Sequence, residues 1–326
     1  MRATLEDRCG LFIENRDIIR DRYKWENAIL YPICANAFCV RGKTADPDRL
    51  RQCDALLKSR TGAFSNFRGS VRLPVLSMLA AGDAPEADLE QMLVNYELLK
   101  KHFSRSEYLA LAALLLAQNG GGKRADDVAQ RARAIYERIR REHPFLTGSE
   151  DSVLSVLLAL SDKDELVLIA EMEDCYKRLK PTFGSGNDLQ GATHVLALAE
   201  GATLEKCARL IALSDSLRAA GARFRPYRML PLLAALSVLP VEISDATADV
   251  MDVYEYLRPL KGYRGIFGAD RRTRLSHAVM LTADEYAPGP EMNAAAIGGT
   301  LAAIAAQQAA MCTVMISSTV TNASSH

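Results

Sequence analysis

The sequence predicts an all-α chain, built as tandem helical hairpins of about forty residues that stack into an α-solenoid or close into an α/α toroid. Three observations carry this. Apolar residues recur at three- and four-residue steps, while strict alternation is scarce. Six phenylalanines (Phe64, Phe103, Phe145, Phe183, Phe224 and Phe267) recur at intervals of 39, 42, 38, 41 and 43 residues. An independent series (Leu57, Leu99, Ile139, Leu179, Leu217 and Leu257) runs just ahead of it at 42, 40, 40, 38 and 40. Two marker series sharing one period identify a repeat, and a lone forty-residue hairpin cannot bury its apolar face without neighbours.

Taken in order, the first full unit runs from Trp25 to Phe64. Asp46-Pro47 signals a helix start, because an Asp oxygen caps free N–H groups and a proline at the first position sacrifices none. Asp83 with Pro85 and Glu86 signals a second start, and Ser244-Asp245 a later one. The phrases Tyr96-Glu-Leu-Leu, Tyr136-Glu-Arg-Ile, Tyr176-Lys-Arg-Leu and Tyr254-Glu-Tyr-Leu mark the ends of equivalent helices. After Phe145 a polar turn precedes a helix over Asp151–Leu160, then a break at Ser161–Asp164 and a second helix running to Lys180-Pro181. Gly10, Gly62, Gly82, Gly201 and Gly120 to Gly122 are placed in turns, since glycine weakens helix interiors. Six units and part of a seventh fill residues 1–290.

Residues 291–326 differ. All 40 basic and 40 acidic side chains of the 326-residue chain precede Met292, and residues 294–316 are almost wholly apolar. The expectation is an apolar C-terminal helix packed on the array, with 294–316 also offering a face for self-association. Its length would suit a membrane span, but it lacks an aromatic belt and a following basic anchor, and Gln307-Gln308 interrupts it. A membrane therefore ranks below burial. Zero net charge removes the general electrostatic case for nucleic acid, which is not expected as a partner.

Seven cysteines without paired spacing read as free thiols in a reducing compartment. With an N-terminus lacking an apolar stretch, they lead to an expected cytoplasmic location.

The phrases Phe64-Ser-Asn-Phe-Arg-Gly69, Ser106-Glu-Tyr-Leu-Ala-Leu111, His143-Pro-Phe-Leu-Thr-Gly148, Gly186-Asn-Asp-Leu-Gln190, Thr193-His-Val-Leu-Ala-Leu198 and Ala306-Gln-Gln-Ala-Ala-Met311 occur in this order. In them the chain resembles, over essentially its whole length, a bacterial family of uncharacterised helical proteins: the domain-of-unknown-function family numbered four thousand and three. The resemblance implies a bacterial, cytosolic protein and carries over no activity, cofactor or catalytic residue.

Candidate chemistry gathers in the turns that follow each phenylalanine, which a regular period brings to one end of the array. Arg68, Asp151, Asn187, Arg228, Arg271 and Arg272 are candidate ligand-binding residues there. Glu150 and Asp188, with His194 and His277 at matching repeat positions, are candidate acid/base catalysts. A competing account is local: Thr147-x-x-Glu150 and Ser185-x-x-Asp188 both fit a capping box. The basic run from Arg258 to Arg274 fits a phosphate site or a solvated helix end.

Asn119-Gly-Gly-Gly-Lys123 is followed by Arg124, not the Ser or Thr of a phosphate-binding loop, and no zinc or hydrolase motif occurs. No motif names a cofactor or a metal. The leading expectation is a binding or scaffold protein that takes a protein segment or small ligand on a concave face or rim. An enzyme acting on a small anionic substrate and a membrane-anchored protein are the alternatives.

Overall fold

A computed structural model describes residues 1–120, 124–222, 229–265 and 268–287. Among the described residues there are fourteen helices and no strand. They are α1 (Ala3–Arg22), α2 (Leu30–Cys39), α3 (Pro47–Arg60), α4 (Arg72–Ala81), α5 (Pro85–Leu99), α6 (Glu107–Asn119) and α7 (Ala125–Glu142). Then follow α8 (Asp151–Leu160), α9 (Glu165–Phe183), α10 (Asn187–Leu198), α11 (Thr203–Ala219), α12 (Leu230–Val238), α13 (Ile243–Leu257) and α14 (Arg271–Tyr286). The expected apolar helix within 291–326, with its proposed self-association face, lies outside the described residues.

The described residues fall into two compact units, one of 11–165 and one of 1–10 with 166–287. In the 11–165 unit, α3 pairs with α4, α5 with α6 and α7 with α8. The odd-numbered helices α3, α5 and α7 also pack in succession, as do α2 with α4 and α6 with α8. The other unit repeats the scheme, with hairpins α11–α12 and α13–α14, α13 packed on α11, and α12 packed on both α10 and α14.

The two kinds of helix differ in burial. Every residue of α8 is buried, as is α10 from Leu189 to Leu198, because these short helices are apolar nearly all round. By contrast α7 buries one stripe, Val128, Ala129, Ala132, Ile135 and Ile139, at helical spacing. The leucine series is that stripe repeated: Leu57, Leu99, Leu179, Leu217 and Leu257 have no exposed surface and Ile139 has 3%.

The phenylalanine series is not equivalent to it. Phe103 is buried, whereas Phe64 and Phe145 are fully exposed, and Phe224 and Phe267 lie outside the described residues. Phe67, not Phe64, packs like Phe103. Phe67 meets Tyr96 with ring centroids 4.8 Å apart, and Phe103 meets Tyr136 at 5.5 Å. Each loop aromatic thus rests edge-on against the tyrosine of an odd-numbered helix.

Several expected boundaries move. α3 begins at Pro47 under an Asp46 cap, as the sequence predicts. α5 also begins at Pro85, but the residue before it is Ala84, and Asp83 pairs with Lys43 at 2.5 Å instead of capping. α13 starts at Ile243, so Ser244 lies inside it. Gly10 sits within α1, where a Cβ would meet nothing within 4 Å, and α9 runs past Pro181 to Phe183.

Candidate functional site

Helix ends organise the polar chemistry, because the last four carbonyls of a helix have no partner within it. Three arginines supply those partners from the preceding helix of a hairpin. Arg49 of α3 donates to the carbonyls of Ala80 at 2.7 Å and Gly82 at 2.5 Å, at the end of α4. Arg131 of α7 donates to Ser161 at 2.8 Å and also to Lys163, past the end of α8. Arg209 of α11 donates to Ser237 in the last turn of α12 at 2.7 Å, and past its end to Leu239 at 3.2 Å and Val241 at 2.7 Å. The three are spaced at two repeats. In sequence they look like surface charge; their periodicity was the available signal. Lys206 serves α10 in the same way, reaching the Ala199 carbonyl at 2.9 Å and Glu171 at 2.8 Å.

The nominated site residues divide along the same line. Arg68 donates to the carbonyls of Lys58 and Thr61 and to the Thr61 hydroxyl, closing the end of α3. Asp151 is the first residue of α8 and is buried; its carboxylate accepts the Gly148 N–H at 2.8 Å. Burial pushes its carboxyl up to about 7, with the charge of Glu150 adding to the effect and the Gly148 bond opposing it. The expected Thr147–Glu150 box is replaced by this pair one residue along, while the Thr147 hydroxyl donates to the His143 carbonyl at 3.0 Å. Glu150 itself lies over Gly148, where a Cβ would come within 2.3 Å of its carboxylate.

In the other unit Asn187 and Asp188 open α10. The residue before the helix is Gly186, at φ 150, and not the expected Ser185. His194 is buried in the middle of α10. His277 in α14 is also buried and shares a 2.7 Å hydrogen bond between its Nδ1 and the Tyr263 hydroxyl. Arg271 and Arg272 are exposed at the start of α14, where Asp270 accepts the Thr273 N–H at 2.7 Å. That bond holds the Asp270 carboxyl below its usual range. Within the basic run, Arg258 pairs with Glu255 at 2.9 Å, and Arg274 lies over the Tyr254 ring at 4.0 Å. Arg228 lies outside the described residues.

A cleft of about 280 Å³ beside α3 is lined by Phe38, Lys43, Thr44, Asp46, Arg49 and Ala80, and includes none of the nominated residues. Its charged walls are already engaged: Lys43 and Arg49 on the end of α4, and Asp46 on the Asp48 N–H. Among the described residues, no group of three or more His, Cys, Asp or Glu is arranged to hold a metal.

What the sequence reading missed at the rim of the 11–165 unit is its exposed aromatics. The loops that follow α1, α3, α5 and α7 form this rim, and contacts join the first three in series. Glu26 pairs with Arg72 at 2.5 Å, joining the first loop to the start of α4. Asn66 donates to the Tyr96 hydroxyl at 2.7 Å, and Glu107 accepts the Ser70 N–H at 3.1 Å, joining the second loop to the third. A Cβ at Gly69 would fall 1.6 Å from a Glu107 oxygen, so any larger residue there would push the Glu107 carboxylate aside. Phe103 on Tyr136 continues the series to α7. From three of these four loops an aromatic side chain projects fully into solvent: Trp25 at 100% exposure, Phe64 at 103% and Phe145 at 98%.

Comparison with known proteins adds no chemistry. The model of a family described as "Protein of unknown function (DUF4003)" matches residues 16–310. The chain belongs to this family. It is also similar to the "Uncharacterized protein YeaA" of Bacillus subtilis (strain 168), at 27% identity over 188 residues. That alignment covers 55% of this chain and 56% of YeaA, so it spans little more than half the length of either. No solved structure matches. Neither the DUF4003 description nor that of YeaA names an activity against which the rim or the buried histidines can be read.

Proposed function

We propose that this DUF4003 protein is a binding or scaffold protein that engages its partner through the loop rim of the 11–165 unit. One observation carries the reading: Trp25, Phe64 and Phe145 project from the loops that follow α1, α3 and α7, while Phe12, Phe38, Phe67 and Phe103 are buried. Single exposed apolar residues are ordinary, but three wholly exposed aromatics at one end of a helical unit mark a contact surface. Of the ligand-binding candidates, Arg68 and Asp151 serve helix ends, which leaves the binding reading to the rim aromatics. His277 is likewise engaged, by Tyr263. We take the hairpins to continue as one repeat array, solenoid or toroid, on the strength of the same packing scheme in both units. A bacterial cytoplasm suits the Bacillus relative and the six described cysteines, which are buried and form no disulfide.

The test is covalent footprinting of the three aromatics in intact cells and in purified protein. Protection in cells is expected at Trp25, Phe64 and Phe145 together. Equal labelling in both settings rejects the rim as a binding surface.

A further inference from the structure

Taking the rim as the binding surface, we propose that its partner is an anionic membrane surface, into which Trp25, Phe64 and Phe145 insert while neighbouring Lys and Arg side chains meet lipid phosphates. Two features select lipid. First, the three rings are fully exposed, so no part of the protein forms a wall against them. A groove for a peptide, or a stacking platform for a base, rests its aromatics against other groups and leaves one face free. A tip that protrudes on all sides suits a soft apolar medium that closes round it. Tryptophan, moreover, favours the interfacial zone of a bilayer.

Second, the exposed charges flanking these aromatics are mainly of one sign. Arg22 and Lys24 flank Trp25, Lys58 and Arg60 precede Phe64, and Arg140 and Arg141 precede Phe145; the exposed carboxylates beside them are Asp21, Glu90 and Glu142, and the half-buried Glu26 next to Trp25 is paired with Arg72. Lys58 and Arg60 also reach Asp54 at 2.8 Å and Glu90 at 3.4 Å along their own face. In a chain with equal numbers of basic and acidic residues, this is a local basic excess where the apolar tips project. Basic residues near an anionic leaflet are attracted individually, and the insertion of aromatic side chains adds to that attraction. Among the described residues no helix is long and apolar enough to cross a membrane, so the contact proposed is peripheral.

Trp25 is the only tryptophan of the chain, which makes the experiment direct. The full-length protein is mixed with phosphatidylglycerol–phosphatidylcholine vesicles and, separately, with phosphatidylcholine vesicles. Co-sedimentation and tryptophan emission are read together. Binding to the anionic vesicles, a blue shift of Trp25 and its quenching by brominated lipid are expected, with little of each on phosphatidylcholine alone. The double variant Phe64→Ser/Phe145→Ser should bind about tenfold more weakly or worse, given the apolar area removed. Quenching of the unmodified protein decides the matter independently of how the variant folds.

Three results overturn the proposal: no vesicle binding, vesicle binding with Trp25 unshifted, or binding that the double variant retains in full. Trp25 quenching by a single-stranded oligonucleotide without vesicle binding would assign the rim to nucleic acid. If the vesicles fail while the three aromatics remain protected in cells, lipid is rejected and the binding rim stands. If protection also fails, both readings fall.

Discussion

The carboxylate of Asp151 accepts the backbone N–H of Gly148 across the start of α8, at 2.8 Å, in a setting that leaves the side chain buried. The bond satisfies a free donor but does not offset the cost of burying charge, which is why the carboxyl is pushed up to about 7.

This pair sets a pH dependence. The folded carboxyl titrates higher than the unfolded one, so its contribution is complete below the unfolded value near 4. It is lost as pH rises towards 7. Asp151→Asn keeps an oxygen for the Gly148 N–H without the charge. It is expected to raise stability at pH 8 by up to about 4 kcal/mol and to flatten the slope between these limits. Urea denaturation across that range is the measurement, and an unchanged slope would remove the account.

The two repeat markers should part under mutation. Leu99→Ala opens a void among fully buried neighbours and is expected to cost about 2–5 kcal/mol. Phe64→Ala removes a side chain already in water and should change stability by less than about 0.5 kcal/mol. Thermal unfolding followed by circular dichroism compares them, and a large loss for Phe64→Ala would show that the ring packs against something.

Arg209 joins three carbonyls at the end of α12, one in its last turn and two beyond it. Arg209→Ala leaves them without this donor and is expected to cost about 2 kcal/mol. Arg209→Lys should restore only part, because a single ammonium cannot reproduce the planar fork. Complete rescue by lysine in denaturant titrations would mean that charge, not geometry, holds the turn.

Tyr263→Phe deletes the hydroxyl bonded to His277 and keeps the ring, whose centroid stands 5.7 Å from the imidazole. A loss of about 1 kcal/mol is expected. The His277 imidazole resonances should also shift in the NMR spectrum. If they do not, the bond is absent in solution.

The hairpin period was legible because buried leucines must recur wherever an odd-numbered helix meets its neighbours, and Leu57 to Leu257 obey that demand. Helix α8 was legible to the residue, since a largely apolar run between two polar turns admits few readings. The phenylalanine series misled because periodicity cannot say which side a loop residue faces: Phe64 points to water and Phe67, three positions later, points inward. The pairing of His277 with Tyr263 spans fourteen residues and a helix boundary, beyond any local pattern.

Trp25 is as exposed in the folded chain as an indole in an open peptide. Its emission should therefore barely change when the core melts, leaving the usual fluorescence assay of unfolding nearly silent for this protein. Tyrosines such as Tyr96 and Tyr136, each against a buried phenylalanine, carry the near-ultraviolet signal of tertiary order instead. The indole is left as a reporter of what touches the molecule from outside.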